Sequence, residues 1–340
     1  MTDILSLFPG EIEELIVSIG EKRFRASQVF SWLYKGVKSF SDMSNIPKEL
    51  IAKLSESAQI KSISIEEKFV SQIDGTVKYL YRLDDGEMIE TVFMRYKHGN
   101  TICLSTQAGC KMGCDFCAST INGFRRNLLP SEMLLQIMCC ERDLAEKVSN
   151  IVLMGIGEPL DNYDNVVRFL RLVNNEKGLN IGMRHISLST CGIADKIDRL
   201  AQENLPITLS VSLHASDQKK REEIMPVARK WSLEQLLASC RQYIKKTGRR
   251  ISFEYALISG VNDSGEEADR LGKLLSGMLC HVNLIPVNPV KEKSFKKSEK
   301  SSIEVFTRTI EKYRISVTVR RRLGSDINAS CGQLRANHSS

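Results

Sequence analysis

Hydrophobic and polar positions alternate in a regular way from about residue 101 onward. Short apolar runs are separated by stretches in which apolar residues recur every three or four positions. Short runs are typical of buried strands, and the longer spacing is typical of helices that cover a sheet. The pattern therefore predicts an α/β fold of βα units. The six predicted strands, enough for a partial TIM-like (β/α)6 barrel, are 101–106, 151–155, 185–189, 207–213, 251–257 and 282–286.

Two helical stretches show this spacing most clearly. Apolar residues stand at positions 166, 169, 170 and 173, and again at 233, 236, 237 and 240. Ser232 and Gln235 are spaced as a capping box at the start of the second stretch. Functional residues of a parallel β/α barrel lie at the C-terminal ends of its strands, so we expect the chemistry there.

The pattern changes before residue 101. Helical spacing is present at 11–19 and 26–34 and begins again near Pro47, and a hairpin-like stretch at 69–93 has Asp-Gly turns at 74–75 and 85–86. We predict an accessory RNA-binding domain at 1–98, a core domain at 99–335 that ends in a C-terminal strand and a catalytic cysteine segment, and a disordered tail at 336–340. The basic and aromatic residues near Phe24 suit nucleic acid, although Phe30 and Trp32 could equally belong to the core.

Composition and charge restrict the class of protein. Hydrophobic residues make up 42% of the 340 residues, enough for a substantial core. No apolar run approaches the roughly 18 residues that a membrane span needs, so we predict a soluble cytoplasmic protein. The net charge of +7 is concentrated in basic clusters, which favour an anionic substrate. These clusters are 22–25, 125–126, 291–300 and 320–322.

The ten cysteines point to metal binding or catalysis, because structural disulfides are rare in a reducing cytosol. Cys110, Cys114 and Cys117 follow the first predicted barrel strand directly. A structural zinc site needs four ligands, usually as two CxxC pairs, and the sequence has no second pair. Three thiolates on a [4Fe-4S] cluster leave one iron open for a cofactor. The spacing favours such a cluster, with zinc or a purely structural cluster as the alternative.

This spacing, with Phe116 before the third cysteine, resembles the radical S-adenosylmethionine superfamily. Gly155-Ile156-Gly157-Glu158-Pro159 after the second predicted strand resembles that superfamily's GxGEP element. Further segments narrow the resemblance, over nearly the whole chain, to the RlmN family of dual-specificity RNA methyltransferases. Those segments are 107–110, 126–128, 212–214, 283–286, 288–289 and 326–334.

The resemblance implies cofactors and partners. It places a [4Fe-4S] cluster on Cys110, Cys114 and Cys117 and uses two molecules of S-adenosylmethionine per turnover. It also implies a monomer with a flavodoxin-type reducing partner. The residues that it assigns to S-adenosylmethionine are Gly157, Glu158, Ser189, Ser212, Leu213, His214 and Asn288.

The implied activity is methylation of carbon 2 of adenine, in 23S rRNA at the peptidyl transferase centre and in tRNA beside the anticodon. Carbon 2 is electron-poor, so an electrophilic methyl group cannot be transferred to it directly and a radical route is required. Cys331 matches the cysteine that carries the methyl group as S-methylcysteine, and Glu90 matches the general base. Cys103 matches the thiol that releases the product by forming a disulfide with Cys331.

The residues alone leave some assignments open. A strand cysteine such as Cys103 is ordinarily a small buried hydrophobe, and His214 is ordinarily a core histidine that contributes only its backbone. The cysteines that we expect merely to pack are Cys139, Cys140, Cys191, Cys240 and Cys280.

The sequence leaves three alternative functions open. The sister (Cfr-like) family methylates carbon 8 of adenine, but Ala108 and Pro159 replace the cysteine and alanine expected there. A non-enzymatic iron–sulfur or zinc RNA-binding protein would not need the three predicted catalytic residues, and a radical enzyme acting on protein or metabolites would not need the basic C-terminal region. The chain departs from the RlmN pattern at Ile156 and at 121–122, which leaves a loop contact with RNA open.

Overall fold

The computed structural model describes residues 1–288, 290 and 295–335. The predicted tail at 336–340 lies outside the described residues, as do position 289 of one family segment and 291–294 of one basic cluster. In the described part of the chain, no helix is both long enough and apolar enough to cross a membrane.

Three helices at the N-terminus confirm the three that were predicted there. They are α1 (Pro9–Ser18), α2 (Arg25–Tyr34) and α3 (Lys48–Ser57), and the short strands β1 (Thr2–Asp3) and β2 (Ala58–Gln59) pair in parallel beside them. Each helix buries the apolar side of its sequence pattern. Phe30 belongs to this core, whereas Phe24 is 54% exposed and the Arg25 guanidinium lies 4.8 Å from its ring centroid.

An antiparallel meander joins these helices to the barrel. Its strands are β3 (Ile63–Val70), β4 (Val77–Leu83) and β5 (Met88–Tyr96), and the two predicted Asp-Gly turns connect them. Gly75 and Gly86 have φ values of +71° and +88°, which residues with a Cβ atom rarely adopt. β5 pairs antiparallel with β6 (Gly99–Cys103), so the predicted boundary near residue 98 separates two parts of one sheet.

The loop after β6 contains a small antiparallel ribbon, β7 (Gln107–Gly109) and β8 (Phe124–Asn127), which flanks the three-cysteine segment. The barrel strands then follow in chain order beside β6, all parallel: β9 (Asn150–Leu153), β10 (Ile186–Thr190), β11 (Thr208–Ser212), β12 (Ile251–Leu257), β13 (Cys280–Pro286) and β14 (Ser316–Val319). β6 and β9 to β13 match the six predicted barrel strands. β14 corresponds to the expected C-terminal strand, but it was not counted among the barrel strands because its short, largely exposed sequence lacks the apolar run that marks the others.

Seven helices accompany these strands: α4 (Pro130–Leu144), α5 (Tyr163–Val173), α6 (Ala194–Leu200), α7 (Gln218–Ile224), α8 (Leu233–Thr247), α9 (Gly265–Leu275) and α10 (Lys300–Glu311). The apolar positions predicted in α5 and α8 are buried. The capping box is also present, because Gln235 N–H donates to Ser232 Oγ at 3.2 Å and Ser232 N–H donates to Gln235 Oε1 at 2.9 Å. The C-terminal ends of the strands therefore meet over one opening of the barrel.

Candidate active site

The three-cysteine segment is folded into a tight loop between β7 and β8. Cys110 N–H donates to Gly123 O at 3.1 Å, and Cys117 N–H donates to Cys114 O at 3.1 Å. Gly109 has φ +73°, and a Cβ there would lie 1.8 Å from Gly123 O, so only glycine permits this closure. All three cysteines consequently line one cavity of about 170 Å³.

The chemistry of this loop fits an iron–sulfur cluster. It supplies three thiols within residues 110–117. A structural zinc site is usually closed by four ligands, whereas three thiolates on a [4Fe-4S] cluster leave one iron open for a cofactor. Burial raises the pKa of the Cys110 thiol to about 12 and also raises the pKa of the Cys114 thiol well above its usual value, so cluster binding has to displace protons.

Most of the residues assigned to S-adenosylmethionine line the same cavity as the three cysteines. They come from the ends of four barrel strands, and they are Gly157, Glu158, Ser189, Ser212, His214 and Asn288. Leu213 differs, because its side chain is buried in the core and its N–H donates to Glu254 O at 3.0 Å. The structure thus places six of the seven assigned residues around one cavity.

Glu158 is held rigidly in a turn after β9. Its Oε2 accepts a hydrogen bond from Cys191 N–H at 2.7 Å, and its Oε1 accepts one from Leu160 N–H at 2.9 Å. Burial raises the pKa of this carboxyl group, and these hydrogen bonds oppose that effect. Gln107 Oε1 accepts the Glu158 N–H at 2.9 Å, which ties the turn to β7. The carboxyl group is therefore positioned beside the cysteine loop.

We expect Gly157→Ala to weaken S-adenosylmethionine binding by about tenfold or more. Gly157 has φ +105°, and a Cβ there would lie 2.6 Å from Gln107 Cβ and 2.8 Å from Gln107 N, so the turn carrying Glu158 would have to move. Isothermal titration calorimetry of the cluster-loaded protein measures the affinity. Gly265→Ala is the matched control, because its Cβ meets nothing nearer than 3.7 Å. Equal affinities for the two variants would contradict this expectation.

His214 is a buried and hydrogen-bonded histidine. Its Nδ1 accepts the Ala256 N–H at 2.8 Å, its carbonyl accepts from Asn262 Nδ2 at 2.7 Å, and its ring packs edge-on against Phe116 at 4.8 Å. Burial, and then the nearby Arg221, lowers the pKa of His214 to about 3. The ring is therefore neutral near pH 7 and suits a positioning role better than proton transfer.

A second and larger cavity, of about 580 Å³, adjoins the first. Cys103 and Cys331 both line it. Its basic lining residues are Lys297, Lys300, Arg320, Arg321 and Arg322. The residues that line both cavities are Met154, Ile285, Asn288, Arg320 and Cys331. Cys331 consequently lies where the cysteine-lined cavity meets the basic one.

Cys103 is buried on β6. Burial, and to a smaller extent the neighbouring Cys331, raises the pKa of its thiol to about 12, and Arg320 opposes these effects. All ten cysteines are described and all carry free thiols, so the disulfide between Cys103 and Cys331 is not present in this structure. The two thiols nevertheless share one cavity, as the predicted exchange requires.

Glu90 lies on β5 next to the basic cavity but does not line it. Alternate residues of a strand face the same side, so Glu90 shares a face with Val92 and Met94, which do line the cavity. Its Oε1 lies 3.1 Å from Lys78 Nζ, and its Oε2 accepts the Arg335 N–H at 2.7 Å. The carboxylate is therefore covered by the backbone at Arg335.

The segment 324–335, here called the catalytic segment, is held by hydrogen bonds to several other parts of the chain. Asn288 Nδ2 donates to Cys331 O at 3.0 Å, and Ala118 N–H donates to Gly332 O at 2.7 Å, next to the cysteine loop. At its start, Asp326 accepts hydrogen bonds from Ser71 Oγ at 2.7 Å and Gln72 N–H at 2.9 Å, in the turn between β3 and β4. The N-terminal meander thus anchors the segment that bears Cys331.

We expect Asp326→Ala to loosen the catalytic segment. The hydrogen bond from Ser71 is the main cause of the lowered pKa of Asp326, so the anchor is complete above the ordinary carboxyl pKa and is lost as pH falls through the lowered value. At neutral pH, amides of the segment should exchange hydrogen about tenfold faster than in the wild type, as measured by mass spectrometry. Asp164→Ala, a change on the exposed side of α5, should leave that exchange unchanged. Equal exchange in Asp326→Ala and the wild type would disprove the anchoring role.

Some functional contacts were not apparent in the sequence. Lys78 and Glu254 belong to no motif, and Arg320 was noticed only as part of a basic cluster. Folding pairs Lys78 with Glu90 and places Glu254 and Arg320 in the wall of the cavity that Cys331 also lines. Arg126, which was counted in a basic cluster, pairs with Glu132 at 2.8 Å and Asp85 at 2.5 Å. Its charge is therefore compensated within the protein.

Comparison with known proteins agrees with the geometry. The radical SAM superfamily matches residues 104–271, and the family described as "Ribosomal RNA large subunit methyltransferase N-terminal domain" matches residues 2–60. The chain is 55% identical to the "Probable dual-specificity RNA methyltransferase RlmN" of Clostridium botulinum (strain Eklund 17B / Type B), covering 99% of this chain and 97% of that protein. It is also 55% identical to the protein of the same name from Alkaliphilus oremlandii, covering 99% and 98% of the two chains.

One solved structure is also similar to this chain over its whole length. The crystal structure of a radical SAM methyltransferase from Sphaerobacter thermophilus is 41% identical to this chain and has a TM-score of 0.94. The alignment covers 99% of this chain and 100% of that one, so both the barrel and the N-terminal helices are shared.

Proposed function

The chain belongs to the RlmN family of dual-specificity RNA methyltransferases, and from that premise we propose that it methylates carbon 2 of adenine in 23S rRNA and in tRNA. One observation carries the proposal. Cys331, the expected methyl acceptor, lies where a cavity lined by three cysteines meets a larger basic cavity that also contains Cys103. A single sulfur can thereby face a methyl donor on one side and an anionic substrate on the other.

The radical SAM superfamily uses a [4Fe-4S] cluster and S-adenosylmethionine. In this chain Cys110, Cys114 and Cys117 would hold the cluster, and the polar residues of the smaller cavity would hold S-adenosylmethionine. When bound, this pair supplies a 5'-deoxyadenosyl radical. The remaining chemistry is assigned to side chains of the protein itself.

Cys331 Sγ accepts a methyl group and presents it to carbon 2 of the base. Glu90 then removes the proton of that ring carbon as a general base. Because Arg335 N–H occupies Glu90 Oε2, the end of the catalytic segment has to shift before the carboxylate reaches the base. Lys78, 3.1 Å from the other oxygen, can hold the carboxylate in place during that shift.

RNA binding is assigned to two surfaces. The lysines and arginines of the larger cavity suit the phosphates around the target nucleotide. Just before α2, the exposed Phe24 next to Arg25 offers a stacking surface for an unpaired base. We further assign the protein to the cytoplasm, where both RNA substrates are found, as a monomer reduced by a flavodoxin-type protein.

We expect Cys103→Ala to trap the RNA on the protein. Without the second thiol, nothing attacks Cys331 Sγ to release the methylated base, so a covalent adduct should accumulate. A denaturing gel would show a slow band that nuclease digestion removes. Cys139→Ala, a change of a half-buried cysteine on α4, serves as the control and should release product normally. Normal turnover without any adduct in Cys103→Ala would rule out the assigned role.

The proposed function is tested by identifying the modified nucleoside. The cluster is reconstituted anaerobically, and the enzyme is incubated with reductant, S-adenosylmethionine and either a 23S rRNA fragment or tRNA. Digestion and mass spectrometry should find 2-methyladenosine from both RNAs. Product from only one RNA would contradict dual specificity, 8-methyladenosine would contradict the assigned ring position, and 5'-deoxyadenosine without modified RNA would contradict the substrate.

A further inference from the structure

A short turn joins the cysteine loop to the catalytic segment. Residues 118–122, here called the bridging turn, directly follow Cys117 and begin with the 3-10 helix Ala118–Thr120. Thr120 Oγ1 donates to Cys117 O at 2.9 Å, which fixes the turn to the cysteine loop. Ser119, in the middle of the helix, is buried. The position of the bridging turn is therefore set by the loop that carries the proposed cluster ligands.

Hydrogen bonds connect the bridging turn to the main chain of the catalytic segment. The donor and acceptor pairs are Ala118 N–H with Gly332 O at 2.7 Å, Ser119 Oγ with Leu334 O at 2.7 Å and Asn122 Nδ2 with Arg335 O at 2.8 Å. The bond from Ser119 is buried, whereas Asn122 is exposed. The sequence left a contact of the loop at 121–122 open, and in this structure Asn122 contacts the protein's own catalytic segment.

The stretch held by the bridging turn bears two reactive parts of the site. Cys331 lies at the boundary between the two cavities, and the Arg335 N–H covers Glu90 Oε2 at 2.7 Å. Leu334 is buried and belongs to the same apolar cluster as Cys103. Because only three residues stand between Cys331 and Arg335, a displacement of this stretch changes the position of the thiol and the cover of the carboxylate together.

We propose that the bridging turn holds the catalytic segment in a closed arrangement, with Ser119 as the positioning residue. In this arrangement Cys331 stays beside the cavity assigned to the methyl donor, and Glu90 stays covered. Leu334 also lines the larger cavity, so RNA that enters that cavity meets the residue whose carbonyl group Ser119 holds. Its displacement then uncovers Glu90 after the methyl group has been loaded. The inference rests on the proposed function and deepens it.

Hydrogen exchange tests the closed arrangement without RNA or turnover. Ser119→Ala leaves Leu334 O without its buried donor, so the amides of 331–335 should exchange about fivefold faster than in the wild type. Cluster-loaded protein is labelled anaerobically in deuterated water, and mass spectrometry with fragmentation resolves single amides. Ser239→Ala is the matched control, because Ser239 is a similarly buried serine on α8 whose Oγ donates to Asp198 at 3.1 Å. It should leave exchange in 331–335 unchanged.

Asn122→Ala removes the exposed contact of the same turn and should accelerate the same amides about threefold. Because position 122 is exposed, this variant decides the question if Ser119→Ala does not retain its iron. Exchange at the wild-type rate in both variants would overturn the proposal, as would equal acceleration in Ser119→Ala and Ser239→Ala. The exchange experiment contains no RNA, so its outcome is separate from the identity of the methylated nucleoside.

A kinetic measurement separates positioning from a general loss of structure. With RNA present, Ser119→Ala should keep its iron content and its rate of 5'-deoxyadenosine formation. It should form about fivefold less methylated adenosine for each 5'-deoxyadenosine, because the thiol is held less firmly, while KM for RNA stays within about twofold of the wild type. An unchanged ratio of the two products would contradict the positioning role. If the wild type methylated no RNA, the proposed function would fail, and the exchange result would still decide whether the turn holds the segment.

Discussion

Cys331→Ala is expected to abolish RNA methylation, with a loss of about a thousandfold or more, because the substitution removes the sulfur that we propose as the methyl acceptor. The cavity wall loses only one sulfur, and the anchors at Asp326 and Gly332 remain, so the protein should fold and bind its cluster. Transfer of a radiolabelled methyl group from S-adenosylmethionine to RNA measures the effect.

Cys280→Ala provides the matched control for this loss. Cys280 begins β13 and pairs with Ile251 at the opposite end of the barrel from the cysteine loop, so its removal should leave methyl transfer intact. Methyl transfer by Cys331→Ala at a rate near that of Cys280→Ala would show that the methyl group reaches the RNA without this thiol.

Cys114→Ala is expected to abolish both cluster binding and activity. Cys114 is the middle one of the three proposed cluster ligands and is buried, so another described cysteine could replace it only if the segment between β7 and β8 refolded. Iron and sulfide content, together with the visible absorbance of the reconstituted protein, should fall to background. Cys240→Ala, a change of a buried cysteine on α8, is the control and should retain the cluster. Full iron content in Cys114→Ala would place the cluster elsewhere.

The sequence predicted the parallel strands well because each combines a buried apolar run with a following amphipathic helix. β14 was missed as a barrel strand because it is short and its residues are largely exposed. The cysteine loop and the turn at Glu158 were recognisable because both depend on local spacing and on glycine. Such features are encoded within a few consecutive residues.

Contacts between distant segments could not be predicted in the same way. Glu90 pairs with Lys78 on a neighbouring strand of the meander, and its carboxylate is covered by the backbone of Arg335 in the catalytic segment. Arg126 was counted as part of a basic cluster because nothing local shows that Glu132 and Asp85 compensate it. The position of Cys331 between the two cavities likewise cannot be predicted locally, because the segments that line these cavities are distant in the sequence.

The central claim is that the methyl group passes through Cys331 to carbon 2 of adenine. The most direct test loads Cys331 with a trideuterated methyl group, removes the labelled donor, and starts a single turnover with RNA and unlabelled S-adenosylmethionine. The account predicts that the first 2-methyladenosine formed carries deuterium in its methyl group and that the 5'-deoxyadenosine gains one deuterium. An unlabelled methyl group in that first product would contradict it.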